Sequence, residues 1–187
     1  MSKSAESALA ELFAAGKAAQ ANAYAPYSRF KVGAALRTQS GAVYSGCNVE
    51  NAAYPQGSCA EAGAIAAMAL SGERRIAEIL VIGDGDALCT PCGGCRQRIR
   101  EFADPTTLIH IAGAEGVRAK FTLGELLPES FGPDHLAVSG PSGVAHLLRP
   151  HTSRHAGFEG SLSEKLTGPM PQMAITAGWS WPRITPS

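Results

Sequence analysis

The sequence predicts a mixed α/β fold: a sheet that contains both parallel and antiparallel strands and carries helices on both faces. Two features of order point there. A pair of β-prone segments joined by a turn signal is followed by segments that alternate between helical and short continuous apolar patterns. Composition supplies the third observation. Of 187 residues, 45% are hydrophobic and 17% charged, so a core can form without disulfides.

The elements follow in chain order. Ser4 to Ala21 is predicted helical, with Ser4 as N-cap and Leu9, Leu12 and Phe13 on one face. Phe30 to Arg37 and Ala42 to Val49 read as strands around a turn at Gln39-Ser40-Gly41. Ser58 to Leu70 is Ala-rich and helical, stopped by Ser71-Gly72. Ile79 to Ile82 is a short apolar strand. Pro91 to Phe102 is a helix with Pro91 in its first turn, where a missing N–H costs little. Leu108 to Ala112 is another buried strand, and Leu123 to Leu127 a short helix before Pro128. Composition shifts near residue 137, and the stretch 137–187, rich in Gly, Pro and Ser, reads as a weakly ordered extension. Trp179 and Trp181 could anchor it on a surface, while His146, His151 and His155 are read as solvated.

Charge and cysteine usage narrow the function classes. Sixteen Lys and Arg balance sixteen Asp and Glu, which argues against a nucleic-acid polymer or an acidic membrane as partner. No apolar run is long enough for a membrane span, and Glu6 and Glu11 interrupt the N-terminus where a signal peptide would be apolar. The five cysteines stand at 47, 59, 89, 92 and 95. An odd, clustered set fits metal ligation by reduced thiolates in the cytoplasm better than a secreted disulfide framework.

Chemistry concentrates in Cys59-Ala60-Glu61 and Pro91-Cys92-Gly93-Gly94-Cys95, each opening a predicted helix. Free N–H groups and the positive dipole end at a helix start favour thiolates. Cys92 and Cys95 share a helix face, and Cys59 from the other helix would be a third sulfur ligand. Three sulfurs select Zn2+ and leave one tetrahedral corner open. Glu61, two residues from a ligand, could take a proton there without ligating.

Cys-Ala-Glu followed by Pro-Cys-x-x-Cys is the zinc deaminase signature in its three-cysteine form. Further segments sharpen the likeness: Ala25-Pro26-Tyr27-Ser28-Arg29-Phe30-Lys31-Val32-Gly33-Ala34-Ala35, Gly46-Cys47-Asn48-Val49-Glu50-Asn51-Ala52-Ala53-Tyr54, and Leu126-Leu127-Pro128-Glu129-Ser130-Phe131-Gly132-Pro133. Together they resemble the small homotetrameric cytidine deaminases over about residues 5–136. The resemblance implies a catalytic domain over 1–136, with a three-layer α/β/α architecture and a mixed sheet of about five strands. It implies Zn2+ on Cys59, Cys92 and Cys95, and Glu61 as the proton shuttle between water, N3 of cytosine and the departing ammonia. Asn48 and Glu50 match residues that bond the ribose, Phe30 the aromatic on the base, and Ala52 a further substrate contact. Tyr54 and Phe131 match residues that reach a neighbouring subunit's site, so a homotetramer would complete it.

The implied reaction is hydrolysis of cytidine and 2′-deoxycytidine to uridine, 2′-deoxyuridine and ammonia, in pyrimidine salvage. A nucleoside analogue such as blasticidin S is the alternative substrate. The non-enzymatic alternative is a four-cysteine structural zinc module that recruits Cys89, since Cys89-Thr90-Pro91-Cys92 is also a C-x-x-C. Otherwise Cys89 and Cys47 are expected to be packed residues, His110 a structural histidine and His135 a surface one. One position departs from the family: Ala62 stands where an Arg often offsets the thiolate charge, so Arg96 or Gln97 and the helix N-termini are expected to carry that compensation.

Overall fold

A computed structural model of the chain describes residues 3–136. The extension expected over 137–187, with its two tryptophans and three histidines, lies outside the described residues. The described chain runs α1 (Lys3–Ala21), β1 (Val32–Thr38), β2 (Val43–Cys47), α2 (Ala60–Leu70), β3 (Ile76–Gly83), α3 (Gly93–Phe102), β4 (Leu108–Gly113), β5 (Gly116–Thr122) and α4 (Leu123–Leu126). Short 3-10 turns at Tyr54–Gln56 and Pro133–Leu136 complete it.

The five strands form one sheet in the order β2-β1-β3-β4-β5. Its single parallel pair is β3 with β4, and every other pairing is antiparallel. A parallel neighbour requires a crossover, and α3 supplies it. The three inner strands β1, β3 and β4 are buried on both faces over most of their length, so they read as apolar runs rather than alternations. Ala34, Leu36, Ile79, Val81, Ile109 and Ile111 point to one face, where α2 (Ala64, Ile65, Met68) and α3 (Ile99) cover them. Ala35, Leu80, Ile82 and Ala112 point to the other face and meet Leu12 of α1. This is the expected three-layer α/β/α arrangement. Each fully buried aliphatic side chain contributes roughly 1.5–3 kcal/mol.

β5 and the start of β3 differ from the sequence expectation, and β1 and β2 are bounded a little differently, at Val32–Thr38 and Val43–Cys47. β5 was not among the strands that segment patterns gave, although in sequence Val117, Ala119 and Phe121 alternate with Arg118 and Lys120. β3 starts at Ile76 rather than Ile79 because Glu78, which breaks the apolar run, is held by two other strands: its carboxylate oxygens lie 3.0 Å from Arg37 Nε and 3.0 Å from His110 Nε2. His110 is 5% exposed, the structural histidine the apolar strand implied.

Topology decides where chemistry can gather. α2 and α3 lie on the same face of the sheet, and the first residue before each helix is a cysteine. The N-caps are Cys59 and Cys92, both in extended backbone conformation. Pro91 precedes the cap rather than occupying the first turn.

Candidate active site

The two helix starts bring three sulfurs together. Cys59, Cys92 and Cys95 place their Sγ atoms within 4.8 Å of one another, and the Cys59–Cys92 separation is 3.9 Å. Tetrahedral zinc with Zn–S bonds of about 2.3 Å separates its sulfurs by about 3.8 Å, so this cage has the right size and donor type for that ion. Cys89 is not a member of the group, which counts against the four-cysteine module. Its side chain is half-buried beside Gly83 instead.

Protonation within the cage follows burial and hydrogen bonding. Burial pushes the Cys95 thiol far up, and Glu61 and Cys59 nearby add to the effect. Cys59 is raised as well, first by burial. Cys92 is the most exposed of the three; burial works against its thiolate, but hydrogen bonds from the Cys95 backbone and thiol outweigh it and lower its pKa. Of the three sulfurs Cys92 is thus the easiest to deprotonate, and a dication would displace the protons of the other two.

Glu61 sits in the first turn of α2 and is 4% exposed. It borders a cavity of about 620 Å³ with Cys59, Cys89 and Cys92. No Lys, Arg or His forms an ion pair with it among the described residues. A carboxylate next to a metal-sized sulfur cage, facing a cavity large enough for a nucleoside-sized molecule, can move protons at that cavity.

The far wall comes from the segment after β2. Asn48, Glu50 and Tyr54 line the cavity; Tyr54, expected to reach a neighbouring subunit's site, borders the cavity of its own chain. They also have local work. Asn48 Oδ1 accepts from Val32 N (2.9 Å) while Nδ2 donates to the Phe30 carbonyl (2.9 Å). Glu50 Oε2 accepts from the backbone N–H of Tyr27 (2.8 Å) and Ser28 (3.2 Å). Ser28's hydroxyl and these amides hold the Glu50 carboxyl below the usual range. Both residues clasp the loop before β1, whose Arg29 takes a left-handed φ of 59°. Sequence reasoning gave them only a sugar role, because the partners are about twenty residues upstream. It also passed over Tyr27, which lines the cavity with its ring edge-on to Tyr54 (centroids 6.1 Å apart).

Three predicted contacts do not border this chain's own cavity. Phe30 has its ring near Gly83 and is 41% exposed. Ala52 is an exposed loop residue. Phe131 is 57% exposed and stacks on His135, centroids 4.9 Å apart. Nor does the expected charge compensation take the form of bonds to sulfur. Arg96 donates to the carbonyls of Pro91 (2.7 Å) and Leu126 (2.8 Å) and to Thr90 Oγ1 (3.2 Å), and Gln97 to the carbonyl of Phe131 (2.8 Å). Cys47 is half-buried, its Sγ 3.7 Å from the Asn22 carbonyl, away from the cage.

Comparison with known proteins agrees with this geometry. Residues 7–111 match the family model described as the cytidine and deoxycytidylate deaminase zinc-binding region. A cytidine deaminase of Sporosarcina psychrophila is 38% identical over 129 residues, covering 69% of this chain and 95% of the relative. A Mycobacterium tuberculosis cytidine deaminase is 41% identical over 118 residues, 63% of this chain and 85% of the relative. The crystal structure of a Burkholderia pseudomallei cytidine deaminase superposes with a TM-score of 0.61 at 42% identity, covering 70% of this chain and all of the other.

Proposed function

The chain belongs to the cytidine and deoxycytidylate deaminase family, and from that membership we propose that it hydrolyses cytidine and 2′-deoxycytidine to uridine, 2′-deoxyuridine and ammonia. The observation that carries the reading is the meeting of three thiols and a nearly buried glutamate at one cavity. Zinc is the family's metal, and the cage fits it in donor type and size. When bound, it supplies Lewis-acid activation of the solvent nucleophile near neutral pH.

The chain's residues do the rest. Glu61 takes the proton of the attacking water, delivers it to N3 of the base as the new C4–O bond forms, and passes a second proton to N4, which leaves as ammonia. Among the described residues its carboxylate neighbours the Cys95 thiol rather than a cation. Asn48 and Glu50 present polar atoms on the cavity wall to the sugar hydroxyls while holding the loop that carries Phe30, the residue assigned to the base. Asn48 retains an amide hydrogen and Glu50 lone pairs beyond their loop bonds.

Exposed Tyr54 and Phe131 support a homotetramer in which each subunit lends aromatic groups to a neighbour's site, with Ala52 a further substrate contact. The balanced charge and the absence of a membrane-length apolar helix among the described residues are compatible with a cytoplasmic enzyme of pyrimidine salvage acting on free nucleosides. The test is a substrate panel of cytidine, deoxycytidine, cytosine, CMP and blasticidin S, with zinc content and solution mass measured on the same preparation. Deamination confined to the two nucleosides, one zinc per chain and a four-chain mass are expected. Turnover of blasticidin S alone would redirect the substrate assignment.

A further inference from the structure

We propose that one face of α3, formed by Arg96, Gln97 and Arg100, is a positioning device that fixes the segment from Leu126 to Asp134, and with it Phe131, relative to the cysteine cage. The inference rests on the reading that Phe131 serves a neighbouring copy's site.

Residues 96 and 100 are one helical turn apart and 97 lies three before 100, so the three side chains leave α3 toward the same neighbour. Each reaches a different point of one segment. Arg96 Nη1 donates to the Leu126 carbonyl (2.8 Å), at the end of α4. Gln97 Nε2 donates to the Phe131 carbonyl (2.8 Å). Arg100 brackets that residue from both sides, donating from Nε to Ser130 Oγ (3.0 Å) and from Nη2 to Asp134 Oδ1 (2.6 Å). Gly132 completes the contact: a Cβ there would stand 2.5 Å from the Arg100 Cζ, so the guanidinium lies against bare backbone. The Phe131 carbonyl is thus held while its ring stays 57% exposed against His135.

The same helix begins on the ligands. Cys92 is its N-cap, Cys95 lies in its first turn, and Arg96 also holds the ligand loop through Pro91 and Thr90. One ten-residue rod therefore bears two sulfurs at one end and the aromatic segment along its side. An aromatic group that closes on bound nucleoside adds binding common to ground and transition states, so displacing it raises KM and spares kcat.

The experiment uses the full, zinc-loaded chain and the variants Arg100→Met, Arg100→Lys and Asp134→Asn. It reads KM and kcat for cytidine, zinc per chain, and amide hydrogen exchange over residues 127–136. Arg100→Met should raise KM about tenfold with kcat within about twofold and zinc unchanged. Exchange over 127–136 should speed up about tenfold or more. Arg100→Lys should recover part of both effects. Asp134→Asn leaves α3 whole and should move both readouts in the same direction by less, keeping the test available if Arg100→Met fails to fold. Unchanged exchange, faster exchange with unchanged KM, or zinc loss in the Arg100 variants would each overturn the proposal. Failure of the deaminase reading shows separately, as a wild-type protein inert toward cytidine; the exchange and zinc measurements then still decide whether this face of α3 holds the segment.

Discussion

Two glutamates in this small protein, Glu61 and Glu78, face very different surroundings. Glu78 on β3 is bonded by His110 and Arg37, and those partners hold its carboxyl below the ordinary glutamate range despite partial burial. Arg37 is itself fixed by Glu11 and the Ala8 carbonyl of α1, so the group ties three strands to a helix. Glu61 is more deeply buried, yet it has thiols for neighbours and a cavity in front of it. A carboxylate whose oxygens are bonded by an arginine on one side and a histidine on the other is held in place by both. One that borders thiols and an open cavity has the setting that the proposed proton transfer needs. In the sequence Cys59-Ala60 marks Glu61, whereas nothing beside Glu78 announces its bonding.

Substitutions should divide them sharply. Glu61→Gln is expected to keep zinc and fold while lowering kcat by about 10³-fold, within the range for loss of a general acid–base. Retention of near wild-type turnover would place the proton transfer elsewhere. Glu50 stands between the two cases, since it holds the loop amides and lines the cavity. Glu50→Gln should raise KM for cytidine about tenfold, the low end of a charged hydrogen bond, and make free cytosine a relatively better competitor. A uniform loss for cytosine and cytidine would separate Glu50 from the sugar. Glu78→Gln should leave kcat unchanged and cost about 1–3 kcal/mol of stability in urea denaturation at neutral pH. Its pH signature is definite. A depressed folded pKa means the stabilisation is fully present above the unfolded glutamate's value near 4.5 and is lost as pH falls through the folded value. Wild type should therefore lose stability more steeply than Glu78→Gln below about pH 4.5.

The fold and the cage were legible for a physical reason: their signals are local. Cys59-Ala60-Glu61 and Cys92 to Cys95 lie within single turns, and the apolar runs of β3 and β4 advertise themselves. What was missed depends on distant pairing. β5 is an edge strand in which Arg118 and Lys120 interrupt the apolar residues, so its run is never continuously apolar. The first residues of β3 were hidden by Glu78, which makes sense only beside β1 and β4. Asn48 and Glu50 were read for what they could offer a ligand, although much of their bonding goes to a loop about twenty residues earlier. Arg96 was expected to answer the thiolate charge and instead clasps carbonyls of the ligand loop and α4, thirty residues on.

Gly46 of β2 carries no chemistry, yet it touches the frame of α2. A side chain there would stand 2.6 Å from the Ala60 carbonyl and 2.7 Å from the Gly63 carbonyl carbon, with nothing but main chain to receive it. Through this contact the outer hairpin sets the seating of the helix that begins at Cys59. Any lineage that drifts away from glycine here must move that helix, and the nucleophile's distance from its target shifts with it. Mutational intolerance at a hairpin glycine packed on α2 would then be the evolutionary trace of a metal centre it never touches.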